Sequence, residues 1–368
     1  MKTALIIGGG FAGCTAANML KQKGFSVTIV EKSDILGGGC RTFFYYGHPY
    51  TYGPHHLLVD VGDTHVWDYM SNYLKLRELK HYNMTFVGGD NAFYTYPIHK
   101  DEIEFMPDKE KIHEELQNRP DVSTARDFEE YWTYSVGDTL YHKFINTYSK
   151  KMWKIKNNKI LDEFTFSPKG VALKTGSKAC FEGKKIVAYP TEPDGYNSYF
   201  EKCVEGCTVI FHTSVEKFDI QKKKVWVKNG WMTGDVIVST ISPDMLFDYQ
   251  YGELPYIGRD FLKVILPIER ITPEPYYFIH YANDEPYTRI FEYKLLTGYQ
   301  SPHTLILIET PSFHNKLYPY PIMSEINKAK RYKDELPDQV FSIGRMGNYH
   351  YDNMDVVIKN CMRLFEQL

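Results

Sequence analysis

Gly8, Gly10 and Gly13 stand in the spacing Gly-x-Gly-x-x-Gly, and Glu31 follows about twenty residues behind them. That set does one kind of chemistry: it holds a pyrophosphate and a ribose. Gly8 lets the chain turn tightly out of a strand, Gly10 lets backbone approach the phosphates, and Gly13 lets a helix lie close on a sheet. The helix N-terminus then offers free N–H groups and a positive dipole end to the phosphates. Glu31 is placed to accept from a ribose hydroxyl, and Phe11, Ala12 and Lys32 complete the candidate binding set around these residues. Glycine-rich turns are common on their own. Here a strand over 4–7, a helix over 14–23 and a second strand over 26–30 supply the frame that the chemistry requires.

A second glycine cluster, Gly37-Gly38-Gly39, follows at once with Arg41 behind it. A unit built for NAD proceeds to another crossover helix at this point. Backbone brought in again so soon favours a larger dinucleotide, FAD, with Arg41 available to its phosphates. Near the end of the chain a strand runs into Gly344-Arg345 and then a helix with cap candidates Asp352 and Asn353 ahead of Met354. A helix N-terminus there would stabilise negative charge on a reduced flavin. Between the glycine loops and the first central helix, over 64–74, Tyr52-Gly53-Pro54-His55-His56 is a turn with two histidines; either one reaches the cofactor or both are structural. No further ligands accompany them, so no metal site is expected.

Composition limits the rest. The 368 residues carry 43 Lys+Arg against 46 Asp+Glu, net −3, which argues against nucleic acid as a partner. Met1-Lys2 leads directly into a strand and no apolar run reaches membrane-spanning length, so a cytoplasmic protein with no membrane association is expected. The six cysteines lack metal-ligand pairing and read as reduced thiols. The 30 tyrosines suit a cleft that must both stack on a ligand and hydrogen-bond it. From 108 to 154 the pattern is helical and charged, with Ser123 as a cap signal and Phe128, Tyr131, Trp132 and Val136 as an apolar repeat. Phe144 and Tyr148 lie one turn apart on the next helix, where they either pack in a core or flank a nucleotide base. Strands then dominate, and the later ones alternate without helices between them, as in an antiparallel sheet.

The expected fold is therefore α/β: a discontinuous FAD-binding Rossmann-like domain (1–78, 185–245 and 335–368), an inserted helical nucleotide-binding domain (100–170), and an antiparallel sheet substrate domain (79–99, 171–184 and 246–334).

Together the glycine loops with Glu31, Val66-Trp67-Asp68-Tyr69, the helix Tyr148 to Trp153, Pro286-Tyr287-Thr288-Arg289-Ile290 with Glu292, Tyr318-Pro319-Tyr320-Pro321, and Gly344-Arg345 through Tyr349 to Asp352-Asn353-Met354 resemble the UDP-galactopyranose mutase family. The resemblance runs over nearly the whole chain. It implies an isomerase that interconverts pyranose and furanose forms of a nucleotide-diphosphate sugar, active when its FAD is reduced, with flavin N5 attacking the anomeric carbon and no net redox change. Carried over by position, Phe144 and Tyr148 hold the base, Ser149 is a further substrate contact, Trp153 lines the sugar, and Arg289 binds the diphosphate with Tyr320 and Tyr349 on its oxygens. Gly8, Gly10, Gly13, Glu31, Lys32, Gly38, Gly39, His55, Arg345, Asp352, Asn353 and Met354 hold FAD. The catalytic set is then Arg289, His55, Tyr349 and Lys174, where Lys174 stands near the place of a second family arginine, as a point charge without its fork. The family's Gly-Ala-His-Ile-Phe-His is altered to Gly53-Pro54-His55-His56-Leu57-Leu58. Both departures lie by the sugar and diphosphate, leaving UDP-galactose, UDP-N-acetylgalactosamine, UDP-arabinose and dTDP-fucose open as donors. An external reductant such as NAD(P)H or a reduced flavin and a homodimeric assembly are expected. The competing reading is an FAD oxidoreductase of the amine-oxidase kind.

Overall fold

The computed structural model describes residues 1–164, 172–228 and 230–368. The expected domain boundary at 170/171 lies outside them. Strand Thr3–Ile7 is buried beyond its first residue, as a strand covered on both faces must be. It sits at the centre of a five-stranded parallel sheet in the order Thr208–Ile210, Ser26–Val30, Thr3–Ile7, Val236–Ser239, Val340–Ser342. The chain leaves the central strand toward one side and returns later on the other. That reversal opens a crevice at the carboxyl ends of the strands, where ligands of doubly wound sheets lie.

Helix Phe11–Gln22 starts from extended Gly10 and buries ten consecutive residues, Phe11 to Leu20. Small side chains make this closeness feasible: Ala12, Gly13, Ala16 and Ala17 let it nest between the sheet and helices Asn197–Val204 and Met354–Phe365. It stops at Gly24, whose positive φ lets the Phe25 N–H reach back to the Leu20 carbonyl at 3.1 Å. The last helix, Met354–Phe365, turns Val357, Ile358, Cys361 and Phe365 inward.

The second sheet has seven strands, in the order Tyr318–Pro319, Tyr256–Leu266, Thr304–Ser312, Arg289–Glu292, Phe278–Tyr281, Asn83–Val87, Ala92–Tyr96. Its pairs are antiparallel except that Phe278–Tyr281 runs parallel to Asn83–Val87, which arrives from far earlier in the chain. A small antiparallel sheet, with Lys185–Pro190 between Leu57–Asp60 and Leu76–Glu78, completes the body near the first helix.

The helical segment differs from expectation in two ways. Helix Phe128–Val136 is capped by Asp127, whose carboxylate accepts the Glu130 N–H at 2.9 Å; Ser123 instead donates its N–H to Asp121, because a 3-10 turn at Val122–Thr124 precedes the helix. The helix carrying Phe144 and Tyr148 is interrupted by a π-turn, His142–Asn146, before Thr147–Trp153 resumes. The extra residue per turn changes which way each ring points. Phe144 enters the helical core beside Tyr94, while Tyr148 turns to His280. Lys151 fastens this helix to the large sheet: its ammonium donates to the carbonyls of Tyr281, Asn283 and Glu285 at 2.9, 2.9 and 2.8 Å.

The two glycines of the first turn are needed for different reasons. A Cβ on Gly13 would stand 1.9 Å from the Gly8 carbonyl oxygen, whereas one on Gly10 would meet nothing within 4 Å. Gly13→Ala is therefore expected to destabilise the fold by about 3 kcal/mol or more, and Gly10→Ala to leave it unchanged. Urea unfolding of the two variants measures the difference; equal stabilities would contradict this packing.

Candidate active site

The carboxyl end of the parallel sheet and the inner face of the seven-stranded sheet share one cleft of about 1190 Å³. This exceeds the usual volume of a site for one small ligand and admits two ligands end to end. Gly8, Gly10, Phe11, Ala12, Glu31, Lys32, Gly38, Gly39, His55, Arg345, Asp352, Asn353 and Met354 line it together. Glu31 braces the glycine loop: one carboxylate oxygen accepts the Gly9 N–H at 2.6 Å, the other the N–H and hydroxyl of Ser33 at 2.8 and 2.7 Å. The open space beside Gly10 leaves room for a pyrophosphate to approach the backbone, while Gly13 keeps its helix packed on the Gly8 carbonyl. Across the cleft the buried Nε2 of His55 has no hydrogen-bond partner among the described residues, while Nδ1 lies 3.8 Å from the Cys40 thiol. Burial, helped by Arg345, lowers the His55 pKa to about 3, so the ring is neutral. These residues fit a dinucleotide with a polar ring edge at His55.

The other half of the cleft is cationic. Arg289 forms a bidentate pair with Glu309, at 2.9 and 2.5 Å, and the same carboxylate accepts the Thr288 hydroxyl at 2.6 Å. Arg259, 3 % exposed, lies 3.6 Å from Glu309 through Nε, which has no hydrogen-bond partner among the described residues. The Arg259 and Arg345 guanidinium carbons lie 4.7 and 5.0 Å from the centre of the Tyr318 ring, and Tyr318 stacks on Tyr351 at 5.1 Å. Two guanidinium groups thus share the Glu309 carboxylate, and the third, Arg345, stands beside Tyr318 and donates to the Asp352 carbonyl at 3.2 and 3.3 Å. Burial pushes the Tyr318 phenol up, but Arg289, Arg345 and Arg259 outweigh it and bring it below its ordinary value. Burial also opposes the Glu309 charge, yet Arg289 and Arg259 hold that carboxyl below the usual glutamate range. A cleft with this surplus of fixed donors is suited to a polyanion such as a diphosphate.

The structure brings some expected residues to the cleft and not others. Phe144, Tyr148, Arg289, His55 and Arg345 line it. Tyr320 donates to the Trp153 carbonyl at 2.6 Å and packs against that indole, and Tyr349 donates to the Pro255 carbonyl at 2.8 Å. Neither tyrosine lines the cleft, nor do Trp153 and Ser149; Tyr318 and Tyr351 take the tyrosine positions beside the arginines instead. Lys174 is likewise not a cleft residue: its ammonium is held by the Ala179 carbonyl. Arg259, absent from the expected set, is the second cation on Glu309. Its strand, Tyr256–Leu266, pairs with Thr304–Ser312 through nine residues; Arg259, Phe261 and Lys263 share one face of it and line the cleft, as does Asp260 between them. The shared face of Arg259 and Lys263 was the available signal. Among the described residues no group of His, Cys, Asp and Glu has the makings of a metal site, and no helix is long and apolar enough to cross a membrane.

Comparison with known proteins adds to this geometry. The family model for UDP-galactopyranose mutase matches residues 143–351, and one for NAD(P)-binding Rossmann-like domains matches residues 6–73. A probable UDP-galactopyranose mutase of Klebsiella pneumoniae is 23 % identical over 100 % of this chain and 94 % of its own. The dTDP-fucopyranose mutase of Escherichia coli is 24 % identical over 99 % of this chain and 98 % of its own. A crystal structure of reduced UDP-galactopyranose mutase superposes with a TM-score of 0.83 at 16 % identity, covering 100 % of this chain and 94 % of that one. That last likeness speaks for the fold.

Glu309→Gln leaves two buried guanidinium groups without their counter-charge and is expected to cost about 3 kcal/mol of stability at pH 7. The native carboxylate, with its depressed pKa, stabilises above the ordinary glutamate range and loses that contribution as pH falls through the folded value. Denaturant unfolding followed downward from pH 7 should show that loss in the wild type and not in Glu309→Gln; parallel curves would contradict the pairing.

Proposed function

The chain belongs to the UDP-galactopyranose mutase family, and from that premise we propose that the arginine cluster around Glu309 and Tyr318 binds the diphosphate of a nucleotide sugar whose pyranose and furanose forms the enzyme interconverts. The enzyme is a sugar isomerase, and its cofactor is FAD, as in its family. The donor we favour is UDP-galactopyranose or a hexose close to it, with an external reductant such as NAD(P)H to bring the flavin to its active state. A homodimer is the assembly we expect.

Reduced FAD, when bound, supplies the nucleophile, its N5, for the anomeric carbon. The remaining tasks fall to the chain. Gly8, Gly10 and Gly38 would take the pyrophosphate of the cofactor, Glu31 its ribose, and His55, a neutral ring with a free buried nitrogen, an edge of the flavin. Arg289 and Arg259 would meet the departing nucleotide diphosphate as its bond to the sugar breaks and its charge grows. Fixed guanidinium donors in a water-poor cleft stabilise such charge without having to reorganise. The same contacts keep the diphosphate in place while the ring opens and closes, so that it returns to the same carbon. Tyr318 and Tyr351 would add hydroxyl contacts, and the lowered pKa of Tyr318, set by the arginines around it, makes it a strong hydrogen-bond donor to an anion. Phe144 and Tyr148 would receive the base.

The surplus of guanidinium over carboxylate in a cleft continuous with the dinucleotide cradle carries this reading. An amine-oxidase cage would be apolar at that position. Incubation of the reduced and oxidised enzyme with a panel of nucleotide sugars, with chromatography for furanose product, tests it. Product is expected only with reduced flavin and without stoichiometric loss of reductant; equal product from oxidised enzyme, or steady consumption of reductant, would contradict it. Arg289→Ala should lower turnover by about a hundredfold or more while flavin absorbance shows the cofactor retained. Near-normal turnover would remove Arg289 from the diphosphate.

A further inference from the structure

His56, the second histidine of the turn that begins at Tyr52, lines the cleft one residue after His55 and is claimed by neither cofactor nor diphosphate. Two groups that do not line the cleft stand behind its ring, Tyr277 and His81, 3 % and 0 % exposed. The Tyr277 hydroxyl meets Nδ1 of both histidines: it lies 3.2 Å from that of His56 and closer still to that of His81. The two imidazole rings are 4.5 Å apart, and Phe181, also a cleft residue, stacks on His81 at 6.1 Å. Backbone bonds hold this wall in place. The His81 carbonyl accepts the Cys180 N–H at 2.7 Å, and the Tyr277 carbonyl accepts the Glu292 N–H at 2.9 Å.

One phenol between two Nδ1 atoms fixes where the protons lie. Burial raises the Tyr277 pKa well above its ordinary value, so the phenol keeps the single proton it has to donate. It donates to one Nδ1 and must accept an N–H from the other, since a second lone pair would only face the oxygen's own. The distances decide which is which, because an O–H donor sits closer to its acceptor than an N–H donor does. His81, the nearer ring, takes the phenol proton, and His56 donates its Nδ1–H to the phenol oxygen. A neutral imidazole has one N–H, so Nε2 of His56 is unprotonated. With Nδ1 turned into the wall, the ring edge that carries Nε2 is on the cleft side.

Taking the function proposed above, on which this inference rests, the sugar joins the flavin edge at His55 to the diphosphate at Arg289. His56 is placed beside both. It follows His55 directly, and the His81 ring behind it lies 5.7 Å from the ring of Phe278, which is 6.0 Å from the Arg289 guanidinium carbon. We propose that Tyr277 and His81 hold His56 in the tautomer protonated at Nδ1, and that its Nε2 accepts a hydrogen bond from one hydroxyl of the substrate's sugar. An acceptor fixed in this way selects for a donor. A sugar with fluorine in place of that hydroxyl has no proton to offer, and the site discriminates against it because its own polar group is then left unpaired.

Two measurements on the FAD-loaded enzyme test the two halves. Nitrogen NMR of isotopically labelled histidine, with the His56 signals assigned by their loss in His56→Leu, should show Nδ1 protonated and Nε2 not, and Tyr277→Phe should mix the tautomers. Calorimetry with UDP-galactose and its monofluorinated analogues, one for each sugar hydroxyl, should find one analogue that binds about tenfold more weakly, the worth of one such hydrogen bond. His56→Leu should erase that penalty through loss of UDP-galactose affinity, and His56→Gln, whose amide oxygen accepts, should keep it. UDP alone should bind the wild type and both His56 variants alike, which also shows that they fold. An Nε2–H tautomer in the wild type, a fluorinated series with no weakened member, or a penalty that persists in His56→Leu would overturn the assignment of His56. If UDP itself does not bind, the diphosphate reading of the cleft fails first and the sugar contact falls with it, a result distinct from a wrong tautomer, which NMR reads without any nucleotide.

Discussion

Glu309 is 1 % exposed and carries a full negative charge inside the seven-stranded sheet, and the cationic half of the cleft is organised by it. A carboxylate so placed is tolerable only if charged donors surround it. Arg289 supplies two, the neutral Thr288 hydroxyl adds a further hydrogen bond, and Arg259 stands close enough to share the charge. In return the carboxylate holds two guanidinium groups rigidly in a buried position, with donor groups left over. Arg345, which reaches the same space from the carboxyl end of the parallel sheet, brings the total to three cations around Tyr318. The excess positive charge is the property that a diphosphate would satisfy. Fixing the guanidinium groups before the ligand arrives removes much of the entropic cost of gathering them.

The position of the cleft follows from topology. The parallel sheet opens its crevice where the central strand Thr3–Ile7 is flanked on one side by the next strand, Ser26–Val30, and on the other by Val236–Ser239 from far along the chain. The second sheet closes over that crevice because its own strands, Asn83–Val87 early and Tyr256–Leu266 to Tyr318–Pro319 late, are inserted between the pieces of the first. A cofactor bound at the glycine turn therefore looks directly toward the arginines. The helix Thr147–Trp153 is fastened to the large sheet through Lys151, which places Tyr148 against His280 on that sheet.

What was legible in the sequence is what is local. The turn at Gly8 to Gly13, its helix and Glu31 are a contiguous stretch whose spacing alone states their geometry, and Gly344-Arg345 is legible for the same reason. The register of the large sheet is not local. Arg259 reaches Glu309 across fifty residues of chain, and Thr85 reaches His280 across nearly two hundred, so neither contact has a sequence period to reveal it. Tyr320 and Tyr349 each stand two residues from the tyrosine that does line the cleft, Tyr318 and Tyr351. In motifs rich in tyrosine the residue type does not say which ring faces inward; the backbone does. Tyr349 adopts a left-handed conformation that sends its ring to Tyr256. The π-turn at His142–Asn146 likewise sets the two rings on different neighbours, Phe144 on Tyr94 and Tyr148 on His280, though both line the cleft.

The central claim is that the cluster around Glu309 exists to bind a diphosphate, and comparing uridine with UDP on the FAD-loaded enzyme addresses it most directly. Uridine has the base and ribose without the anion. If the arginines take the diphosphate, UDP will bind at least about a hundredfold more tightly than uridine, and the difference will shrink as salt is raised. Equal affinities for uridine and UDP, insensitive to salt, would contradict the account.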